Sequence, residues 1–344
     1  MSNFRYNYVF FNSADSNTRK KDPNTYNTIC AKDLDDHPDI QVVSYPVDWA
    51  PYFIRFLFSV HHHPKTNKIV KLPFKRWWYP HWVHPQFAPK KPLCFVFCDW
   101  KSLDYIRYLK KKYPKSKIVF IHRDKLSLFE QTYPEWTNAL LDELVDLRLS
   151  YDEKEAADNN LGYFCEYESA IDLAPSEDAP ICDVFFAGRA KDRLPLLMDV
   201  YHKVTAGGLS CHYYLTHVPT EQQKAYPGIE YSNRQLPYRE MLQRSVDARC
   251  MLEINQGGSV GYTSRFLEAV IYNKKLLTNN KTIENTKFYN PEYIQCFNVV
   301  DDINVEFIKK DVEKIDFHYN GEFSPIRLIE QIDRELMAGE EETV

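Results

Sequence analysis

Short apolar runs rich in β-branched and aromatic residues recur along this chain, each followed by a segment of helical period. That alternation limits the fold to α/β with mainly parallel strands, because a parallel neighbour needs a crossover of helical length. Two series are visible. The first has strands at 8–11, 40–44, 93–98, 117–121 and 147–150, with helices at 102–112 and 136–145. The second has strands at 182–186, 211–215, 249–254 and 275–278, with helices at 192–205, 238–245 and 264–272. Residues 169–180 are acidic, contain proline and lack a period, which marks them as the linker. A last helix at 325–337 precedes a polar acidic tail. The expected domains are 1–168 and 181–324, with 325–344 as a C-terminal helix and tail; 344 residues suit two domains.

Composition narrows the class. With 44% hydrophobic and 26% charged residues the chain has enough apolar surface for two cores. A formal net charge of -5 argues against a nucleic-acid partner, which selects a basic domain. The eight cysteines are scattered and mostly lie in apolar runs, where they act as small hydrophobes; a cytoplasmic, reducing location is expected. Cys94 and Cys98 fall on one face of a strand-like run and are expected in a core. The first twenty residues lack the apolar stretch of a signal peptide, and no stretch approaches the ~18 apolar residues of a spanning helix.

Two segments carry candidate chemistry. The strand ending at Phe186 runs into Ala187, Gly188, Arg189, Ala190, Lys191, Asp192 and Arg193 before a helix begins. A glycine there lets a ligand approach the backbone, a helix N-terminus offers N–H groups to an anion, and Arg189, Lys191 and Arg193 would neutralise a diphosphate. Alone, a strand, a glycine and a basic turn are as readily structural. The second segment is sharper: a strand ends at Ile254, and Gln256, Gly257, Gly258 and Gly261 lead to a helix capped by Thr263 or Ser264. Such a loop wraps phosphates with backbone N–H groups. Arg265 and Glu268, three apart, share a helix face and either pair or turn to a ligand; the carboxylate suits a ribose diol. A plain capping box explains the helix start but not the glycines.

The run 183–189 (DVFFAGR), the helix at Tyr238, and the segment from Thr263 to Thr278 together resemble the C-terminal half of bacterial GT-B glycosyltransferases of capsule and lipopolysaccharide assembly. The resemblance covers about a hundred residues well and implies two Rossmann-like domains facing a cleft. The C-terminal domain would hold a nucleotide-diphosphate sugar, with UDP expected on family frequency alone, and the N-terminal domain the acceptor; no metal or other cofactor is obligatory. Carried over by position, it puts Glu268 on the donor ribose and Thr263, Ser264 and Arg265 near the diphosphate. Arg189 with Lys191 or Arg193 would reach the phosphates from the opposite loop, and Leu236 to Tyr238 would border the base. The familiar retaining pattern has a second glutamate eight positions earlier, where this chain has Val260. Inversion is therefore favoured over retention.

An inverting enzyme needs a base that reaches the acceptor hydroxyl. The candidates follow first-series strands: Asp15, then Asp99, then His122, with Asp124 beside it. Turn and cap roles explain most such aspartates. Residues 65–91 hold seven Lys or Arg and no acid, with Trp77, Trp78, Tyr79 and Trp82 interleaved. This suits peripheral contact with an anionic inner membrane or a lipid-linked acceptor; an insertion packed on its own domain is the alternative. His61, His62 and His63 are adjacent and do not converge as metal ligands do, so no metal site is expected. The leading expectation is a glycosyltransferase acting on a cell-surface polysaccharide or glycolipid. A GT-B-type nucleotide-sugar epimerase and a non-catalytic GT-B partner subunit are the alternatives.

Overall fold

The computed structural model describes residues 4–12, 23–43, 47, 49–62, 73–88, 90–98, 103–123, 125–132, 134, 136–255, 261–312 and 314–341. The chain forms two compact units. One comprises Met1–Pro23, Asn27–Cys165 and Ser324–Val344; the other comprises Asn24–Tyr26 and Glu166–Phe323.

The first unit holds strands β1 (Asn7–Phe11), β2 (Ile40–Val43), β3 (Leu93–Cys98), β4 (Lys117–His122), β5 (Leu147–Ser150) and β6 (Gly162–Tyr163). They form one sheet of order β2-β1-β3-β4-β5-β6, every pairing parallel. Phe11 lies opposite Phe97 in register, and their rings stack 4.5 Å apart. Such cross-strand aromatic pairs account for part of the aromatic richness of the chain. Cys94 and Cys98 are wholly buried in β3. The helix Pro325–Glu341 belongs to this unit: Gln331 donates to the Tyr163 carbonyl at 2.6 Å, and the Tyr8 hydroxyl donates to Asp333 at 2.6 Å.

The second unit holds β7 (Val184–Arg189), β8 (Cys211–Thr216), β9 (Ile229–Ser232), β10 (Cys250–Glu253), β11 (Lys275–Thr278) and β12 (Ile294–Cys296). Its sheet is also parallel throughout, in the order β12-β11-β10-β7-β8-β9. The first three strands are laid down outward from β7, and the chain then returns to build the other half from β10. This is the doubly wound Rossmann order, and its reversal falls between β7 and β10. The segment expected as a linker is tied to this unit, since the Ser176 N–H donates to Asp247 at 2.7 Å and Gln243 to the Ala174 carbonyl at 2.9 Å.

Every strand expected from the sequence is present. The strands not foreseen, β6, β9 and β12, all lie at sheet edges, where one flank is unpaired and the apolar pattern is weaker. The helices Tyr26–Cys30, Tyr52–His61 and Val305–Lys309 were not foreseen either.

Gly228 shows where the backbone itself sets a residue type. Its φ is +75°, and an added Cβ would stand 2.0 Å from the Cys211 carbonyl oxygen. Gly228→Ala is expected to destabilise the second unit by roughly 2 kcal/mol or more. A denaturant titration checks this, and an unchanged midpoint would contradict it.

Candidate functional site

In a doubly wound sheet, ligands bind in the crevice at the carboxyl ends of the strands flanking the reversal. Here those strands are β7 and β10. β7 ends in Gly188 and Arg189, followed by Ala190, a 3-10 turn Lys191–Arg193 and the helix Leu194–Ala206, whose start has no side-chain cap. Lys191 adopts φ 47°, the left-handed region that a non-glycine residue enters at a cost. Arg189 and Lys191 are exposed.

Arg193 is placed differently from the expected phosphate contact. Its guanidinium folds back, donating to the Ile254 carbonyl at 2.7 Å and also to the Arg189 carbonyl, and it lies over the Phe186 ring. It thus fastens the end of β10 to the end of β7. Burial holds its pKa below the usual arginine value.

The facing segment starts at β10. Gln256 and Gly257, with Gly258, Ser259 and Val260, lie outside the described residues, but both ends of that loop are fixed. The Asn255 N–H donates to Asn279 at 2.7 Å, and Asn280 donates to the Gly261 carbonyl at 3.2 Å. Glu253, wholly buried, accepts from the hydroxyls of Thr263 and Thr278. Thr263 caps the helix Ser264–Ile271, accepting from the Arg265 N–H at 3.2 Å. Thr263, Ser264 and Arg265 are half-buried.

Arg265 and Glu268 pair, at 2.7 Å between Nη1 and Oε1. The other arm of Arg265 donates to the Ala187 carbonyl at 2.9 Å, so the helix start is tied to β7. Glu268 is fully buried and is therefore not presented to a ribose. The acid a turn into the helix thus serves Arg265, not a capping box.

Behind this pair lies a carboxyl that sequence reasoning missed. The Tyr238 hydroxyl stands 2.6 Å from Glu168 Oε1 and 2.8 Å from Glu268 Oε1. One hydroxyl proton cannot serve two carboxylates. Glu268 is compensated by Arg265, whereas Glu168 is wholly buried and its Oε2 has no hydrogen-bond partner. The consistent arrangement is a neutral Glu168 donating to Tyr238, which donates to an ionised Glu268. Burial, followed by the charge on Glu268, drives the Glu168 pKa well above the ordinary value. Tyr238 is therefore buried in a chain of hydrogen bonds, its ring edge-on to Tyr26 at 4.9 Å, and is not offered to a nucleotide base. No sequence signal marks Glu168, which sits in an irregular segment. Glu253 did carry one, as a lone charge in the apolar strand 250–254.

In the first unit, Asp15, Asp99 and Asp124 lie outside the described residues. His122 ends β4 with 0% exposure, between Phe120 and Phe129 and 3.5 Å from the Arg148 guanidinium. Burial and that cation push its pKa down to about 3, so it stays neutral, and an imidazole sealed in the core has no hydroxyl to deprotonate. His61 is held by Trp78 and the Pro73 carbonyl and His62 by the Phe58 carbonyl; His63 lies outside the described residues. Among the described residues no group of three His, Cys, Asp or Glu stands close enough to hold a metal ion.

With this geometry in hand, comparison places the fold. HepE of Anabaena, solved in complex with UDP-glucose, superposes with a TM-score of 0.53 at 9% identity, over 96% of this chain and 99% of that one. An alpha-glucosyltransferase solved with UDP-glucose and DNA containing an abasic site gives 0.48 at 12% identity, over 96% and 93%. A UDP-N-acetylglucosamine 2-epimerase from Rickettsia bellii gives 0.43 at 12% identity, over 98% and 96%. No protein-family model matches the chain, and no curated protein matches its sequence. The likeness to HepE is one of fold: two Rossmann-like α/β units, the GT-B class.

The neutral Glu168 sets a pH dependence. A carboxyl whose folded pKa is raised contributes stability that is complete below its unfolded value, near 4.5, and lost as pH rises through the folded value. Glu168→Gln mimics the protonated form. Between pH 4.5 and neutrality, the melting temperature of the parent is expected to fall relative to that of the variant. Parallel melting curves across that window would show that Glu168 is ionised throughout.

Proposed function

We propose that the chain is a nucleotide-sugar-dependent glycosyltransferase, passing a sugar from a nucleotide-diphosphate donor, a UDP-sugar for preference, to a polysaccharide or glycolipid acceptor at the cytoplasmic face of a membrane. One observation carries the reading. The two segments that the sequence offered for a diphosphate converge on the switch point of the second sheet, fastened there by Arg193 and Arg265.

Gly188 adds independent support. Its φ is not positive, and the nearest described atoms to an added Cβ are at 3.6 Å, an ordinary contact. Packing therefore does not require glycine here, whereas a phosphate lying against the strand end would. In the proposal, Arg189, Lys191, the backbone around Gly257, and the Thr263 and Ser264 hydroxyls hold the diphosphate. Arg265 and Glu268 act as positioning residues behind them, because a ribose reaches Glu268 only by displacing Tyr238 or Arg265.

In an inverting transfer the acceptor oxygen attacks the anomeric carbon, the bond to the diphosphate breaks, and the acceptor proton passes to a carboxylate. Charge on the departing diphosphate falls to Arg189 and Lys191, and no metal is obligatory in this scheme. The first sheet reverses direction between β1 and β3, which end at Phe11 and Cys98. Asp15 and Asp99 follow those two strand ends in the sequence, and we assign the base to one of them, Asp15 first.

Three variants test this. Arg189→Ala is expected to weaken nucleoside-diphosphate affinity by roughly tenfold or more in calorimetry. Gly188→Ala should melt as the parent does yet bind the donor more weakly; unaltered binding by both variants would refute the diphosphate site. Asp15→Asn should abolish transfer while sparing donor binding, and near-normal transfer would pass the role to Asp99.

A further inference from the structure

Eight of the eleven exposed large hydrophobic side chains among the described residues lie between Trp49 and Trp77, so the exposed apolar surface is concentrated in one stretch of the first unit. The helix Tyr52–His61 reads YFIRFLFSVH and is apolar on nearly every side. Phe58 turns inward, edge-on to Trp78 and Trp82, and is buried. The opposite side carries Phe53, Leu57 and Val60, spaced as one helical stripe, with Tyr52 beside them; Phe53 and Tyr52 are each 65% exposed. Phe74 and Trp77, 60% and 72% exposed, stack on each other at 4.6 Å. Phe74 and Trp77 line a cavity of about 390 Å³ together with Trp49, Trp78 and, from the helix, Ile54 and His61.

A surface helix of a water-facing protein keeps its outer side polar, and an apolar outer side marks a contact. The charge pattern identifies its partner. No acidic residue occurs between Asp48 and Asp99, a span holding eight Lys or Arg; Lys91 is paired with Asp39 at 2.7 Å, whereas Lys75 and Arg76 lie between Phe74 and Trp77 in the sequence. Arg76 also pairs with Asp104 at 2.7 Å. Exposed aromatics flanked by cations match the boundary between anionic headgroups and acyl chains. A polynucleotide offers phosphates but nothing for Phe53, Leu57 and Val60. Ten residues are also too few to span a bilayer, and no described helix is long and apolar enough to do so.

We propose that the outer side of the helix Tyr52–His61, together with Phe74 and Trp77, is a peripheral docking surface for an anionic lipid bilayer, lying in its interface without crossing it. This refines the membrane contact in the function proposed above by moving its apolar part to a helix ahead of residues 65–91. Its test needs neither donor nor acceptor, so it stands or falls separately from the transferase reading.

The full chain is floated with phosphatidylcholine vesicles and with vesicles also containing phosphatidylglycerol. Binding is expected only to the second kind and should weaken with salt. Phe53→Ser with Trp77→Ser should reduce binding about tenfold or more per aromatic removed, and Lys75→Gln with Arg76→Gln roughly fivefold per charge. Val299→Ser, an exposed apolar change in the second unit, should leave binding unaltered. Equal binding to both vesicle types would overturn the proposal, as would indifference to the Phe53 and Trp77 changes. Duplex DNA competing fully with the vesicles, or a dimer in sedimentation that the Phe53 and Trp77 changes dissolve, would assign the surface to another partner.

Discussion

Arg265 carries its charge largely inside the second unit, with 17% of its side chain exposed, and the arrangement of the candidate site follows from how that charge is compensated. Glu268 takes one arm of the guanidinium and the Ala187 carbonyl the other. Removing one partner of a buried pair strands the other charge, at a cost of about 3–5 kcal/mol, so the geometry is held firmly. Compensation spreads one step further, because Tyr238 joins Glu268 to Glu168, and that second carboxyl has to stay neutral for the cluster to close on one cation. The result is a fixed connection between the end of β7 and the helix Ser264–Ile271. Arg193 makes a second connection between the same strand end and β10.

The strands most legible in the sequence are the central ones, whose runs such as LCFVFC in β3 are apolar at nearly every position because both faces are covered. The edges were not legible. β9 reads IEYS with a half-exposed pattern, and β6 has only two residues, too few for any period to register. The helix Tyr52–His61 escaped for the opposite reason: helical period is recognised by contrast between faces, and an apolar outer side removes the contrast.

The site shows the same division between local and long-range information. The Arg265 and Glu268 pair follows from a spacing of three on a helix, and it is present. The fate of Arg193 did not follow from spacing, since whether a guanidinium faces solvent or two carbonyls depends on Ile254, 61 positions away. Glu168 lies 70 positions from Tyr238 and a hundred from Glu268, so only the fold brings the three together. His122 illustrates the converse. A histidine after a strand reads as a base, but strand burial carries to the last residue of β4 and leaves it in the core.

The central claim is that a nucleoside diphosphate occupies the carboxyl ends of β7 and β10. Amide hydrogen exchange of the full chain, with and without UDP, tests it most directly. Slowed exchange is expected at residues 188–193 and 256–265, with no comparable change in the strands of the first unit. Protection confined to other segments, or no protection at saturating UDP and at saturating concentrations of the other nucleoside diphosphates, would contradict it.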